Sequence, residues 1–124
     1  MDRVFGLFGA GLGFMAVAMG AFGAHLLAAR LSVRDLEIFE TAVRYQMYHA
    51  LALILIAALI PRSTAPALIS SAGWAFTVGV IVFSGSLYLL VFSGVRTFGA
   101  ITPIGGVALL AGWALLFTSL LRTA

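Results

Sequence analysis

The sequence has no cysteine, no lysine and only three prolines in 124 residues. Without cysteine there can be no disulfides, thiolate metal ligands or cysteine nucleophiles. Charge is scarce too: 9% of residues are charged, seven arginines against four acids, while 63% are hydrophobic and the mean hydropathy is +1.17. Soluble domains average about half apolar and about a quarter charged residues, so this composition predicts an integral membrane protein. A pI near 10.2 raises the question of nucleic acid, but the arginines stand singly between hydrophobic blocks and form no basic run. They read as membrane flanks, and no nucleic-acid partner is expected.

What fills the sequence instead is long apolar runs. Val4 to Ala24 carries no polar side chain, and at about 1.5 Å per residue such a helix crosses a hydrocarbon core of about 30 Å. The run exceeds the roughly 7 to 15 residues of a signal-peptide core, so it is expected to stay in the protein as the first span. Ser32 followed by Asp35 resembles a capping box and predicts a second helix starting near Val33, with nothing to break it before Pro61. At about 42 Å that helix is longer than a bilayer core, so its first third belongs at the interface. On a helical projection Arg34, Glu37, Glu40, Thr41, Arg44, Tyr45, Tyr48 and His49 share one arc, opposite Leu36, Phe39, Ala42, Val43, Met47 and Ala50.

The loop "PRSTAP" leads to a third span with Pro66 at its first position. Thr102 as N-cap and Pro103 as first helical residue would open the fourth. The fold class predicted is an all-α integral membrane protein: four transmembrane helices in an antiparallel up-down bundle, the second with an amphipathic juxtamembrane extension. The expected spans are about 4–27, 44–60, 67–92 and 103–121, within a single domain covering 1–124.

Four crossings place both termini with Arg3, Arg62 and Arg122 at one end, where Trp74 and the deeper Trp113 read as anchors. The opposite end collects the unusual groups, and His25, Glu40, Arg44, Tyr45, His49, Ser84, Tyr88 and Thr102 are the candidate ligand-binding residues. If His25 and His49 lie at similar depth they form a pair of imidazoles suited to a metal, a haem iron or a proton relay, with Glu37 or Glu40 as acceptor. The structural alternative bonds them to backbone carbonyls or to Tyr45 and Glu40. Two histidines lack the ligand spacing of a metal site, so no metal or cofactor is expected. Glu40 and Arg44, at i and i+4, are either a helix-stabilising pair or a clamp for an anionic head group. Thr77, Ser84 and Tyr88 share a face of the third helix with Ser86 nearly opposite, a pattern that serves interhelical bonding or lines a pathway. No serine triad is arguable, and no enzyme is predicted. Gly9 and Gly13, with Gly20 further on, give the first helix closely packable edges, one of which would be available to a second copy.

Four motifs in order, "GAFGAH" (Gly20 to His25), "FETAVRYQMYHALAL" (Phe39 to Leu53), "FSGSLYLL" (Phe83 to Leu90) and "ITPIGGVALLAGW" (Ile101 to Trp113), closely resemble the bacterial domain-of-unknown-function 423 family, relatives of the eukaryotic transmembrane protein 256. The resemblance spans about Gly6 to Phe117 and implies a small four-span protein of the bacterial inner membrane with no established activity. The family often has glycine after the first histidine, where this chain has Leu26. The leading expectation is a non-enzymatic binding or accessory protein whose polar end takes a lipid head group, a small ligand or a partner subunit. Its partners would be the bilayer and either a second copy or a larger membrane complex. A proton-coupled transporter or small channel, and a haem or metal accessory subunit of a respiratory complex, are the alternatives.

Overall fold

Each apolar run becomes a helix, because in hydrocarbon every backbone N–H and C=O must find its partner within the segment. The structure, a computed structural model describing residues 1–123, has no strand among those residues and four helices long and apolar enough to cross a membrane. We label them α1 (Asp2–Leu27), α2 (Val33–Leu59, prolonged by a 3-10 turn Ile60–Arg62), α3 (Pro66–Ser93) and α4 (Thr97–Thr123). Their lipid-directed surfaces are apolar: Phe14, Phe22, Val78, Val107, Leu110 and Phe117 are all exposed.

Local chemistry sets most of the ends. The Ser32 side chain accepts the Asp35 N–H at 3.0 Å and opens α2 as the capping pattern predicts. Pro66 occupies the first position of α3, where its missing N–H is no loss. Gly94 closes α3 at φ 72°, the one positive φ among the described residues, and its N–H returns to the Leu90 carbonyl at 2.9 Å.

The start of α4 corrects the expected boundary. The helix begins at Thr97, five residues before the expected cap at Thr102, and Pro103 lies inside it. Phe98 and Gly99 already donate to Val95 and Arg96 carbonyls, and the Thr102 hydroxyl turns to Ser86 and to the Phe98 carbonyl instead of capping. Pro103 forfeits one backbone hydrogen bond, whereas unwinding the turns before it would leave several carbonyls unpaired at the membrane edge.

In α1 the residues Met19–Gly23 form a π-helical turn, closed by the Ala24 N–H reaching the Met19 carbonyl. No sequence pattern used above predicts it. It falls on the glycine-rich stretch "MGAFG", where there is little side-chain bulk to resist a wider turn.

Glycines set how closely the helices approach. A Cβ on Gly9 would stand 2.8 Å from the Ala50 carbonyl oxygen, and one on Gly105 only 2.5 Å from the Phe83 backbone nitrogen. Gly13 faces Ala50, Gly20 faces Val43 and Gly23 faces Phe39, so numbers rise along α1 as they fall along α2. The contacts Phe39–Phe92, Ala42–Ser84 and His49–Phe76 between α2 and α3, and Gly99–Leu90 and Gly112–Phe76 between α3 and α4, likewise run in opposite residue order. Gly9, Gly13 and Gly20, the glycines expected to give α1 its packable edges, thus all face α2 of the same chain. The core beneath these contacts comprises Phe5, Leu53, Ile56, Ile69, Ala72, Phe76, Val80, Leu109 and Leu116.

Candidate functional site

The inward face of α2 repeats at alternating steps of three and four: Phe39, Ala42, Gln46, His49, Leu53 and Ile56 are all buried. Gln46 and His49 thus stand on the core stripe of their helix, each 4% exposed. In hydrocarbon such groups must be bonded within the protein. Gln46 donates through Nε2 to the Leu12 carbonyl of α1 at 2.9 Å and accepts from the Tyr88 hydroxyl of α3 at 2.7 Å, which ties three helices at one amide.

His49 joins α2 to α4. Trp113 Nε1–H donates to His49 Nε2 at 3.1 Å, and His49 Nδ1 lies 2.8 Å from the Tyr45 carbonyl oxygen. An indole N–H can only donate and a carbonyl can only accept, so the ring is the neutral tautomer protonated on Nδ1. Its one lone pair is taken by Trp113, which also meets Phe76 edge-on with ring centroids 4.9 Å apart. Trp113, expected to be a membrane anchor, keeps much of its ring exposed while its indole N–H donates inward to the buried His49. Trp74 likewise packs its ring against Phe5 and Phe8.

The hydroxyls of Ser84, Ser86 and Tyr88 bond between helices. Ser84 donates to the Ala42 carbonyl of α2 at 2.7 Å, while Ser86, on the other side of α3, pairs with Thr102 of α4 at 2.5 Å. Thr77 bonds back to Gly73 within its own helix at 2.8 Å. Among the described residues no buried side-chain nitrogen or oxygen lacks a partner.

The eight residues expected to converge are consequently divided. His49, Ser84, Tyr88 and Thr102 belong to the hydrogen bonds between helices. Glu40 and Arg44 form an ion pair at 3.7 Å on the outer side of α2 and line, with Gly20, Ala24, Phe39 and Val43, a groove of about 260 Å³ against α1. Tyr45 is partly exposed and meets Tyr48 and Phe83 at tilted angles. It lines, with His49, Trp113 and Pro103, a separate, largely apolar cleft of about 390 Å³ between α2 and α4.

His25 is exposed in the last turn of α1. It is not at the depth of His49, as the paired-imidazole reading required. Gly13 is level with Ala50 and Gly23 with Phe39, so about twelve residues of α1, or about 18 Å, separate the two levels. No group of three or more metal-ligating side chains gathers among the described residues.

Gln46 was not among the candidates, although it holds a central place. Its signal was the alternating spacing shared with Phe39, Ala42, Leu53 and Ile56, which assigns a polar residue to the core face without naming its partners.

Comparison with known proteins places the molecule. The model of a family described as a protein of unknown function, DUF423, matches residues 19–106. A UPF0382 membrane protein of Staphylococcus haemolyticus is 45% identical, with 94% of each chain covered. The UPF0382 membrane protein YwdK of Bacillus subtilis is 38% identical over 97% of this chain and 98% of its own. The UPF0382 inner membrane protein YgdD of Escherichia coli K12 is 38% identical over 94% of this chain and 88% of its own. No solved structure matches. With its apolar helices and a family match over most of its length, the chain belongs to the DUF423 family of bacterial membrane proteins.

Proposed function

We propose that this chain is a non-enzymatic membrane protein that holds the head group of a zwitterionic phospholipid in the groove beside Glu40 and Arg44. The observation that carries this reading is the groove itself: opposite charges 3.7 Å apart on α2 line a space of about 260 Å³ whose other wall is the glycine-rich π turn of α1. Gly20 and Ala24 leave that wall low, and Phe39 and Val43 supply an apolar floor for the first carbons below the head group. Arg44 is matched to a phosphate and Glu40 to an ammonium, the two charges of phosphatidylethanolamine. The polar groups deeper in the bundle support the same reading by contrast, because they are already bonded to one another.

The test is lipid mass spectrometry on full-length protein reconstituted into nanodiscs of mixed phosphatidylethanolamine and phosphatidylcholine. The wild-type protein should retain phosphatidylethanolamine preferentially, and Arg44→Ala and Glu40→Gln should each lose that preference. Identical lipid retention in all three would overturn it.

A further inference from the structure

A second groove lies where three helix ends meet. Arg34 and Asp35 in the first turn of α2, with Ile38 one turn on, face Leu90 and Gly94 at the end of α3 and Arg96 and Gly99 around the start of α4. The space they enclose is about 450 Å³, larger than the Glu40 groove.

The ion pairs among the described residues join the amino terminus to Asp2 and Arg44 to Glu40, and neither Arg34 nor Arg96 is in them. Arg34 of α2 and Arg96 of the turn before α4 therefore share one groove without a carboxylate in salt-bridge contact. We propose that Arg34 and Arg96 clamp the phosphate of an anionic phospholipid, as a site independent of the Glu40–Arg44 groove.

The chemistry selects the ligand class. Guanidinium forks match phosphate oxygens in geometry as well as charge, and arginine is weakly hydrated enough to stay paired at an interface. Asp35 also lines the groove, so two positive charges against one negative leave a net charge of +1. That balance is neutralised by a phosphodiester carrying a single negative charge. The residues around the opening favour a lipid over a free ion: Ile38 and Leu90 form apolar walls, and Leu89, Phe92 and Ile101, adjacent along α3 and α4, are exposed hydrocarbon. Gly94 and Gly99 contribute no side chain, which leaves the space between the arginines open.

The experiment uses the full chain in nanodiscs of phosphatidylcholine doped with phosphatidylglycerol, and counts lipids that remain bound in native mass spectrometry. Wild type should retain phosphatidylglycerol over phosphatidylcholine, and the Arg34→Ala/Arg96→Ala variant should reduce that preference about tenfold. An Arg62→Ala/Arg122→Ala variant removes the same charge from the opposite end and should leave the preference intact. Arg30→Ala, at an exposed arginine that lines neither groove, should also leave it intact. If the double alanine variant does not reconstitute, Arg34→Gln and Arg96→Gln singly should each show a smaller loss. Equal phosphatidylglycerol retention by wild type and the Arg34 and Arg96 variants would overturn the proposal. So would retention of inorganic phosphate by detergent-solubilised protein with no preference for phosphatidylglycerol, because the site would then take the free ion.

Discussion

The inner seam of α2 and the charged rim at its foot use polar residues in opposite ways. Along the seam Gln46 and His49 each make two hydrogen bonds to groups of other residues, and among the described residues no buried polar side-chain atom is left over. At the rim Arg34 and Arg96 are exposed and outside the ion pairs of the described residues, and the Glu40–Arg44 pair is itself largely open. The difference follows from solvent. Hydrocarbon makes an unsatisfied polar group expensive, so depth forces satisfaction, whereas the head-group layer supplies water and lipid phosphate as partners. Polar residues of a small membrane bundle are thus better candidates for ligand binding when they lie shallow and unpaired than when they lie deep and converge.

The comparison can be broken first at the helix contacts on which the seam depends. Gly105→Ala should have the largest effect, about 1 to 3 kcal/mol, because the new Cβ would meet the Phe83 backbone, which cannot rotate away. Gly11→Ala, at a position with nothing within 4 Å, is the control expected to change little. Unfolding titrated with dodecyl sulfate in mixed micelles would measure both. Equal midpoints for the two variants would show that the close α3–α4 approach is not needed.

Next in size is Gln46→Leu, which removes bonds to α1 and α3 together and leaves the Tyr88 hydroxyl without its acceptor. Interhelical hydrogen bonds in membranes average about 0.6 kcal/mol and reach about 1.7, so a loss of about 1 to 2 kcal/mol is expected in the same titration. Combining it with Tyr88→Phe should add little, since the phenylalanine removes the orphaned hydroxyl. A fully additive double variant would mean that the two residues are not coupled.

Trp113→Phe keeps the ring contact with Phe76 and deletes the donor to His49. The expected cost is about 0.6 kcal/mol. A reading on the imidazole itself is sharper: in nitrogen NMR of labelled histidine, wild type should show the Nδ1-protonated tautomer, and the variant should show that preference weakened. Rim substitutions should come last in stability. Arg44→Ala is expected to shift unfolding by less than about 1 kcal/mol, because an exposed pair contributes little. Its effect should fall on retained lipid, and a rim variant that unfolded the bundle would dissolve the distinction between seam and rim.

Reading the sequence worked where the controlling interactions lie within a turn or two. The Ser32–Asp35 cap and Pro66 at the start of α3 are satisfied locally, and the structure shows both where the residues indicate. The sorting of Ser84 and Ser86 to different neighbours was visible as opposite helical faces, though Ala42 and Thr102 as their partners were not. Pro103 misled because proline favours a first helical position, yet here the pairing of the turns before it outweighs the one backbone hydrogen bond it forfeits. The histidine pair failed because its depth depends on the register of α1 against α2, and that register is set by how Gly9, Gly13 and Gly20 seat on α2.

Composition and run length by themselves determined that this chain is a four-helix membrane protein, because the transfer energy of an apolar run and the need to satisfy its backbone depend on no other part of the molecule. Motif order carried the family. Which polar residues are already bonded to one another and which remain available at the surface was decided by tertiary structure alone. That division rests on interhelical distances and register, and these emerge only when the glycine faces of separate helices come together.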